Sequence, residues 1–247
     1  MNKIYFLLAL IFSIFTTNTF SQTCIDVDTT ESFESGPGIT WVMDPNNDID
    51  WTNRSGGTPS PQTGPSGAFD GSYYMYTEAS GNGNGYPNKE AIMSVSCVDP
   101  TQWTELCLAF AYHMYGSSMG TLSIDVSPDS GTTWIEEWTL SGNQGNQWFQ
   151  DFIDLSAYTS NISVRVQAVT GTSWSSDIAV DLLKFMEMPV VGCTNPLADN
   201  YDSTATIDDG SCYFSNCTQL TLNMYDSWGD GWNGNDFSLI SSNGTTF

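Results

Sequence analysis

The chain has 247 residues, with 28 acidic against 5 basic side chains, a net charge of −23 and an aromatic content of 13%. A surface this acidic repels nucleic acid and anionic membranes, so neither is an expected partner, whereas divalent cations are compatible with it. The aromatic content excludes a disordered acidic tail, and the abundance of Gly, Ser, Thr and Asn suits a sheet protein with many turns.

In chain order, Met1-Asn2-Lys3 precedes an apolar run from Ile4 to Phe15, followed by "TNTFSQ" with Thr19 and Ser21 as small residues before Gln22. This pattern predicts a cleaved signal peptide over residues 1–21. The apolar run falls short of the roughly 20 residues of a membrane span. Gln22 and Thr23 are poor residues to precede a lipidated Cys24. With no second apolar stretch, the mature chain is expected to be exported, secreted or held at the cell surface, with no transmembrane segment. Six cysteines in an exported chain predict disulfides. Spacing favours two pairs. Cys97 and Cys107 flank "VDPTQWTEL" between apolar runs, and Cys193 and Cys212 bracket a small acidic segment. Cys24 and Cys217 stay unassigned, and a residue beyond Phe247 is one option for Cys217.

Period-two alternation dominates and helical periodicity is almost absent. "SYYMYT" is the first strong strand candidate, and "LCLAFAYHMY" the clearest. In the latter, Leu106, Leu108, Phe110, Tyr112 and Met114 share one face, and Cys107, Ala109, Ala111 and His113 the other. Two mostly apolar faces predict an interior strand. "TLSIDV", "WIEEWTL", "WFQDFIDL", "ISVRVQAV" and "IAVDLLKF" follow, separated by turn signals such as Pro128-Asp129-Ser130-Gly131 and "SGNQGN". In "WIEEW", Trp134 and Trp138 are expected on one side. Many short strands with Gly-rich turns predict an all-β chain, a β-sandwich or jelly roll. Composition changes near Met188-Pro189. Residues 189–214 form a short Cys/Asp-rich segment, and 215–247 begin a strand-turn-strand pattern that stops without a sheet around it, as in a truncated β-rich module.

Taken in order, several segments carry a family resemblance: "SFES", "WVMDPNNDIDW", "TGPSGAFDGSYYMYTEAS", "EAIMSVSC", "LCLAFAYHMYGSSMGTLSIDV", "WTLSGNQGNQWFQDFIDLS", "VRVQAVTG" and "DIAVDLLKF". Residues 22–188 thereby resemble a MAM domain, the extracellular module of meprin, A5 antigen and receptor phosphatase mu. Val180-Asp181 stands where that family has paired aspartates. The resemblance implies a jelly-roll sandwich that serves adhesion or protein recognition, sometimes with a bound cation. "GCTNPLADNYDSTATIDDGSC" and "YDSWGDGWNGNDF" are similar to short repeats of exported multidomain bacterial proteins.

The candidate chemistry is sparse. His113 is the single histidine, in mid-strand, and triad or zinc chemistry needs partners that the sequence does not place beside it; a packed residue is the expectation. Glu136 and Glu137 are adjacent on a strand and point to opposite faces, which argues against a glycosidase pair. Calcium is the one cofactor expected, because it takes six to eight or so oxygen ligands. In the MAM-like part, Glu34 near the start and Asp181 near the end are expected to meet in a closed sandwich and share an ion with Asp70. In the next segment, Asp199, Asn200, Asp202, Asp208 and Asp209 crowd a loop that a Cys193–Cys212 bridge would stabilise by about 3 kcal/mol. They are either calcium ligands or turn residues that satisfy their own backbone. "DSWGDGWNG" places Asp226, Asp230 and Gly231 as in an EF-hand, but Trp228 and Phe237 replace two ligands. Trp228 and Trp232 form either a sugar platform or a packed hairpin.

The function expected from the sequence is an exported, non-catalytic adhesion or recognition module of a larger protein, binding a protein or glycan ligand at a cell surface. The alternatives are an accessory region of a secreted hydrolase, such as a peptidase, whose catalytic domain lies outside this chain, and a carbohydrate-binding module.

Overall fold

The computed structural model describes residues 24–25, 30–36, 40–81 and 84–215. The expected signal peptide and the residues from 216 onward, Cys217, Trp228 and Trp232 among them, lie outside the described residues. The chain divides into two compact units, up to Met186 and from Glu187.

The first unit is an all-β sandwich. Its strands are β1 (Thr30–Glu31), β2 (Val42–Met43), β3 (Trp51–Ser55), β4 (Tyr73–Thr77), β5 (Glu90–Val98), β6 (Leu106–Met114), β7 (Thr121–Ser127), β8 (Ile135–Ser141), β9 (Phe149–Asp154), β10 (Ile162–Val169) and β11 (Ile178–Glu187). One sheet runs β3-β4-β11-β6-β9, with β1 beside β11; the other runs β2-β5-β10-β7-β8. Apart from the β7–β8 hairpin, successive strands from β4 to β11 cross between the sheets, and the orders β4-β11-β6-β9 and β5-β10-β7-β8 are those of a jelly roll.

Alternation along each strand explains the core. On β6, Leu106, Leu108, Phe110, Tyr112 and Met114 enter the core between the sheets, where they meet Leu122, Ile124 and Val126 of β7 and Ile162, Val164, Val166 and Ala168 of β10. The Phe110 ring meets Trp138 edge-on at 5.0 Å between centroids, and Tyr112 stacks on Phe149 at 5.5 Å. Each large side chain removed from water this way contributes about 1.5–3 kcal/mol. The other face of β6 carries only small residues and His113. A second, smaller apolar cluster lies apart from the main core, where Tyr74, Tyr76 and Ala179 are packed by Ala68 and Trp148.

Two expectations are corrected. Cys97 is bridged to Cys24, not to Cys107. Leu106 and Leu108 point into the core, so Cys107 between them points away from it, whereas Cys97 belongs to β5 of the opposite sheet. Close spacing along the chain therefore does not bring the two sulfurs together, and Cys107 remains a buried thiol. The chain near Cys24 runs along β5 instead, with Ile25 N–H donating to Cys97 O at 3.0 Å.

Trp134 and Trp138 also do not share a side. The β7–β8 register shifts, so that Asp125 faces Glu136 while the preceding residue, Ile124, faces Trp138. This bulge re-aims the side chains. Trp138 packs against the core, whereas Trp134 lies under Arg165, 4.5 Å from its guanidinium carbon. Arg165 Nε also donates to Asp125 Oδ2 at 2.7 Å. The outer face of this sheet is thus polar, with Ser94, Arg165 and Asp125 in register across β5, β10 and β7.

In the second unit, β12 (Val191–Gly192) pairs in parallel with β13 (Ile207–Asp208), and Cys193 is bridged to Cys212.

Candidate functional site

The acidic residues singled out in the sandwich converge on one loop. Phe33 and Leu182 both have left-handed backbone, φ 58° and 52°, beside Glu34 and Asp181 respectively. Such conformations persist only where the surroundings hold them. Asn53 Nδ2 donates to Phe33 O at 2.9 Å, and Glu34 Oε1 accepts the N–H groups of Ser72 and Tyr73 at 2.7 and 2.8 Å. The carboxylate lies over Gly71, where a Cβ would come within 2.4 Å of Oε1. Asp181 Oδ2 accepts the N–H groups of Phe69 and Asp70, both at 2.9 Å, and its Oδ1 accepts that of Leu182 at 2.8 Å. Burial pushes the fully buried Asp181 carboxyl up to about 6, with three N–H bonds pulling it down and the nearby Asp70 charge adding to the rise.

Glu34, Asp70 and Asp181 are therefore brought to the same segment, where two of them act as acceptors for backbone N–H groups. Among the described residues, no group of three His, Cys, Asp or Glu side chains is placed to hold a metal ion. The acidic residues of the second unit are likewise turn residues. Asp202 Oδ1 accepts Thr204 N–H at 2.8 Å and its hydroxyl at 2.7 Å, and Asp208 Oδ1 accepts Gly210 N–H at 3.1 Å. Asp199 accepts the N–H of Ser215. These bonds lower the carboxyls of Asp199 and Asp202 below their ordinary range.

His113 is buried on the outward face of β6. Its Nε2 is 3.2 Å from Asn146 Oδ1, and its ring meets Trp148 edge-on at 5.5 Å. Desolvation holds it down to about 4, only partly offset by the bond to Asn146, so it is neutral at physiological pH. Buried beneath loop and aromatic side chains, it is a packed residue.

The 57–66 loop, Tyr115 and Asn146 also form a cleft of about 240 Å³ that the sequence reading did not identify. The loop is fixed by hydrogen bonds within it and to its neighbours. Tyr74 OH and Arg54 Nε donate to Gly56 O and Gly57 O, both at 2.8 Å. Thr58 Oγ1 donates to Thr63 O at 2.7 Å, and Gly64 N–H donates to Tyr115 O at 3.0 Å. A site preformed in this way loses little freedom on binding. Behind it is Asp177, fully buried at the start of β11. Its N–H donates to Thr63 Oγ1 at 2.9 Å, and its Oδ1 accepts Ala79 N–H at 3.0 Å. Desolvation raises this carboxyl to about 7, with the Glu78 charge adding and hydrogen bonds opposing.

This has a consequence for stability. An unfolded aspartate has released its proton by about pH 4, while the folded Asp177 keeps it until about 7. The contribution is thus full at low pH and is lost as pH rises through 7. Unfolded His113, near its ordinary 6.5, still sheds its proton in this range and offsets the change by roughly 0.4 kcal/mol, while between pH 6.5 and 8 the wild-type protein is expected to lose roughly 1 kcal/mol from Asp177. Asp177→Asn is expected to remove that slope, because an amide retains the acceptor for Ala79. Urea melts at the two pH values measure it.

The family model described as "MAM domain, meprin/A5/mu" matches residues 32–190. Neuropilin-1a of Danio rerio is 32% identical over 151 residues, which cover 59% of this chain and 16% of that protein. MAM domain-containing glycosylphosphatidylinositol anchor protein 1 of Homo sapiens is 32% identical over 165 residues, covering 62% and 16%. The chain thus matches only a small part of the length of these relatives. Among solved structures, the K1 cleaved adhesin domain of Lys-gingipain from Porphyromonas gingivalis W83 superposes with a TM-score of 0.49 at 16% identity, covering 66% of this chain and 99% of that domain. A likeness that distant carries no argument about function. With the family model matching well over half of it, the chain belongs to the MAM family.

Proposed function

We propose that this chain is an exported, non-catalytic recognition module that binds a protein or glycan at a cell surface through the loop end of its sandwich. The carrying observation is the preformed 57–66 loop, whose cleft is lined by uncharged polar groups, next to a histidine that is buried and committed to packing. The kinship with surface-anchor proteins bearing MAM domains supports the surface location. The accessory region of a secreted hydrolase is an equivalent reading for this domain, because the recognition step would be the same.

A bound calcium ion is a second reading, favoured by the convergence of Glu34 and Asp181 on the 69–73 segment that carries Asp70. Hard oxygen donors suit that ion. Glu34 and Asp70, both exposed, would hold it.

The test is binding of labelled residues 22–247 to cell surfaces, in calcium and in EGTA, alongside peptidase and glycosidase turnover assays. Saturable binding without turnover is expected. Turnover by the purified chain would overturn the non-catalytic reading, and identical binding and melting in EGTA would remove calcium.

A further inference from the structure

Two buried side-chain polar atoms among the described residues have no hydrogen-bond partner, His113 Nδ1 and Asp177 Oδ2. Native folds satisfy nearly all such groups, so each exception calls for a physical explanation. Both stand behind the same cleft, lined in part by Thr58, Gln62, Thr63, Ser66, Tyr115 and Asn146. His113 reaches it through Asn146, to which Nε2 is bonded. Asp177 reaches it through Thr63 and through Thr58, whose hydroxyl lies beside the carboxyl but donates to Thr63 O. A Cβ on Gly64 would stand 3.1 Å from that of Asp177, so the loop backbone rests directly on it.

The lining decides the ligand class. Hydroxyls and amides supply donors and acceptors side by side, with no formal charge among them. An apolar ligand would leave these groups unpaired. An anion would find no cationic side chain in the lining to answer its charge, and would approach Glu78 through the serine hydroxyls. Glu78 accepts the hydroxyl of Ser80, which in turn accepts that of Ser60 at the cleft. A neutral ligand that presents several hydroxyls at close spacing matches the set, and Tyr115 adds an aromatic surface for its apolar face. The volume of about 240 Å³ is below the roughly 300–1,000 Å³ of drug-sized pockets.

The geometry points to a binding site for one neutral sugar unit of a glycan, held by Gln62, Tyr115 and Asn146 over the buried His113 and Asp177. The inference rests on the reading that this loop end recognises a ligand. Saturation-transfer NMR of residues 22–247 with glucose, galactose, mannose and N-acetylglucosamine, and with glucuronic acid as the anionic control, tests it. At least one neutral sugar is expected to receive transfer, and glucuronic acid to bind more weakly than glucose. Gln62 has φ 63°, so Gln62→Gly keeps the turn unstrained while removing the amide; binding is expected to weaken about fivefold, the loss of one hydrogen bond. Tyr115→Phe is expected to act in the same direction without removing the ring. Transfer to none of the four sugars, or transfer unchanged in both variants, overturns the inference. If cell-surface binding falls in these variants while no sugar binds, only the sugar assignment fails. If cell-surface binding is also absent, the recognition reading fails with it.

Discussion

Replacing Cys24 and Cys97 together by alanine is expected to lower stability by about 4 kcal/mol, from the loss of a bridge whose ends are 73 residues apart. Cys107→Ala is expected to cost only about 1 kcal/mol, the loss of a small buried group. The contrast separates the two pairings. Were Cys97 joined to Cys107, the single substitution would be as damaging as the double one. Chemical denaturation of the three proteins, with peptide mapping under non-reducing conditions, reads the answer. The size of the effect follows from the position of the bridge, which ties the start of the domain to the end of β5, with Ile25 bonded to the Cys97 carbonyl.

Asp181→Ala is expected to be of similar weight, about 4 kcal/mol, because it leaves the N–H groups of Phe69, Asp70 and Leu182 without their acceptor. The leucine at 182 then has nothing to hold its left-handed backbone in place. Asp181→Asn retains one acceptor oxygen and is expected to lose about half as much. Hydrogen exchange of the 69–73 amides gives a local readout, with faster exchange expected in the alanine variant before the rest of the sheet responds. An unchanged exchange pattern would show that Asp181 does not hold this loop.

Much of the sandwich was legible because β6 and β10 alternate cleanly, so the core face of each strand is written in the order of its residues. What sequence could not show was direction at irregular points. The bulge in β8 sends Trp134 outward and Trp138 inward, and no residue type announces it. The Cys97–Cys107 expectation failed for the same reason, since short spacing says nothing about which face of a strand a sulfur occupies. Glu34 and Asp181 both accept backbone N–H groups of the 69–73 segment, and residue types alone do not separate that answer to a carboxylate from a cation. The cleft was invisible in the sequence because its lining comes from three separate segments, a Gly/Pro/Ser loop, the end of β6 and the turn holding Asn146, which carry the family resemblance without showing that they meet. Its two unpartnered atoms are a property of packing alone.

His113 shows how the two levels join. Its isolation in the sequence invites a catalytic role, and its place on β6 turns it into support for Asn146 at the cleft floor.

The central claim is that the MAM domain binds its ligand through the loop end. The most direct measurement compares binding isotherms of labelled residues 22–247 on cell surfaces for the wild-type protein, for Gln62→Gly combined with Tyr115→Ala, and for Gln167→Ala on the outer sheet face. The account predicts that the loop-end variant binds about 25-fold more weakly, as for loss of two contacts worth about 1 kcal/mol each, with the sheet-face variant unchanged. Weakening confined to the sheet-face variant, or no saturable binding by the wild-type protein, would contradict it.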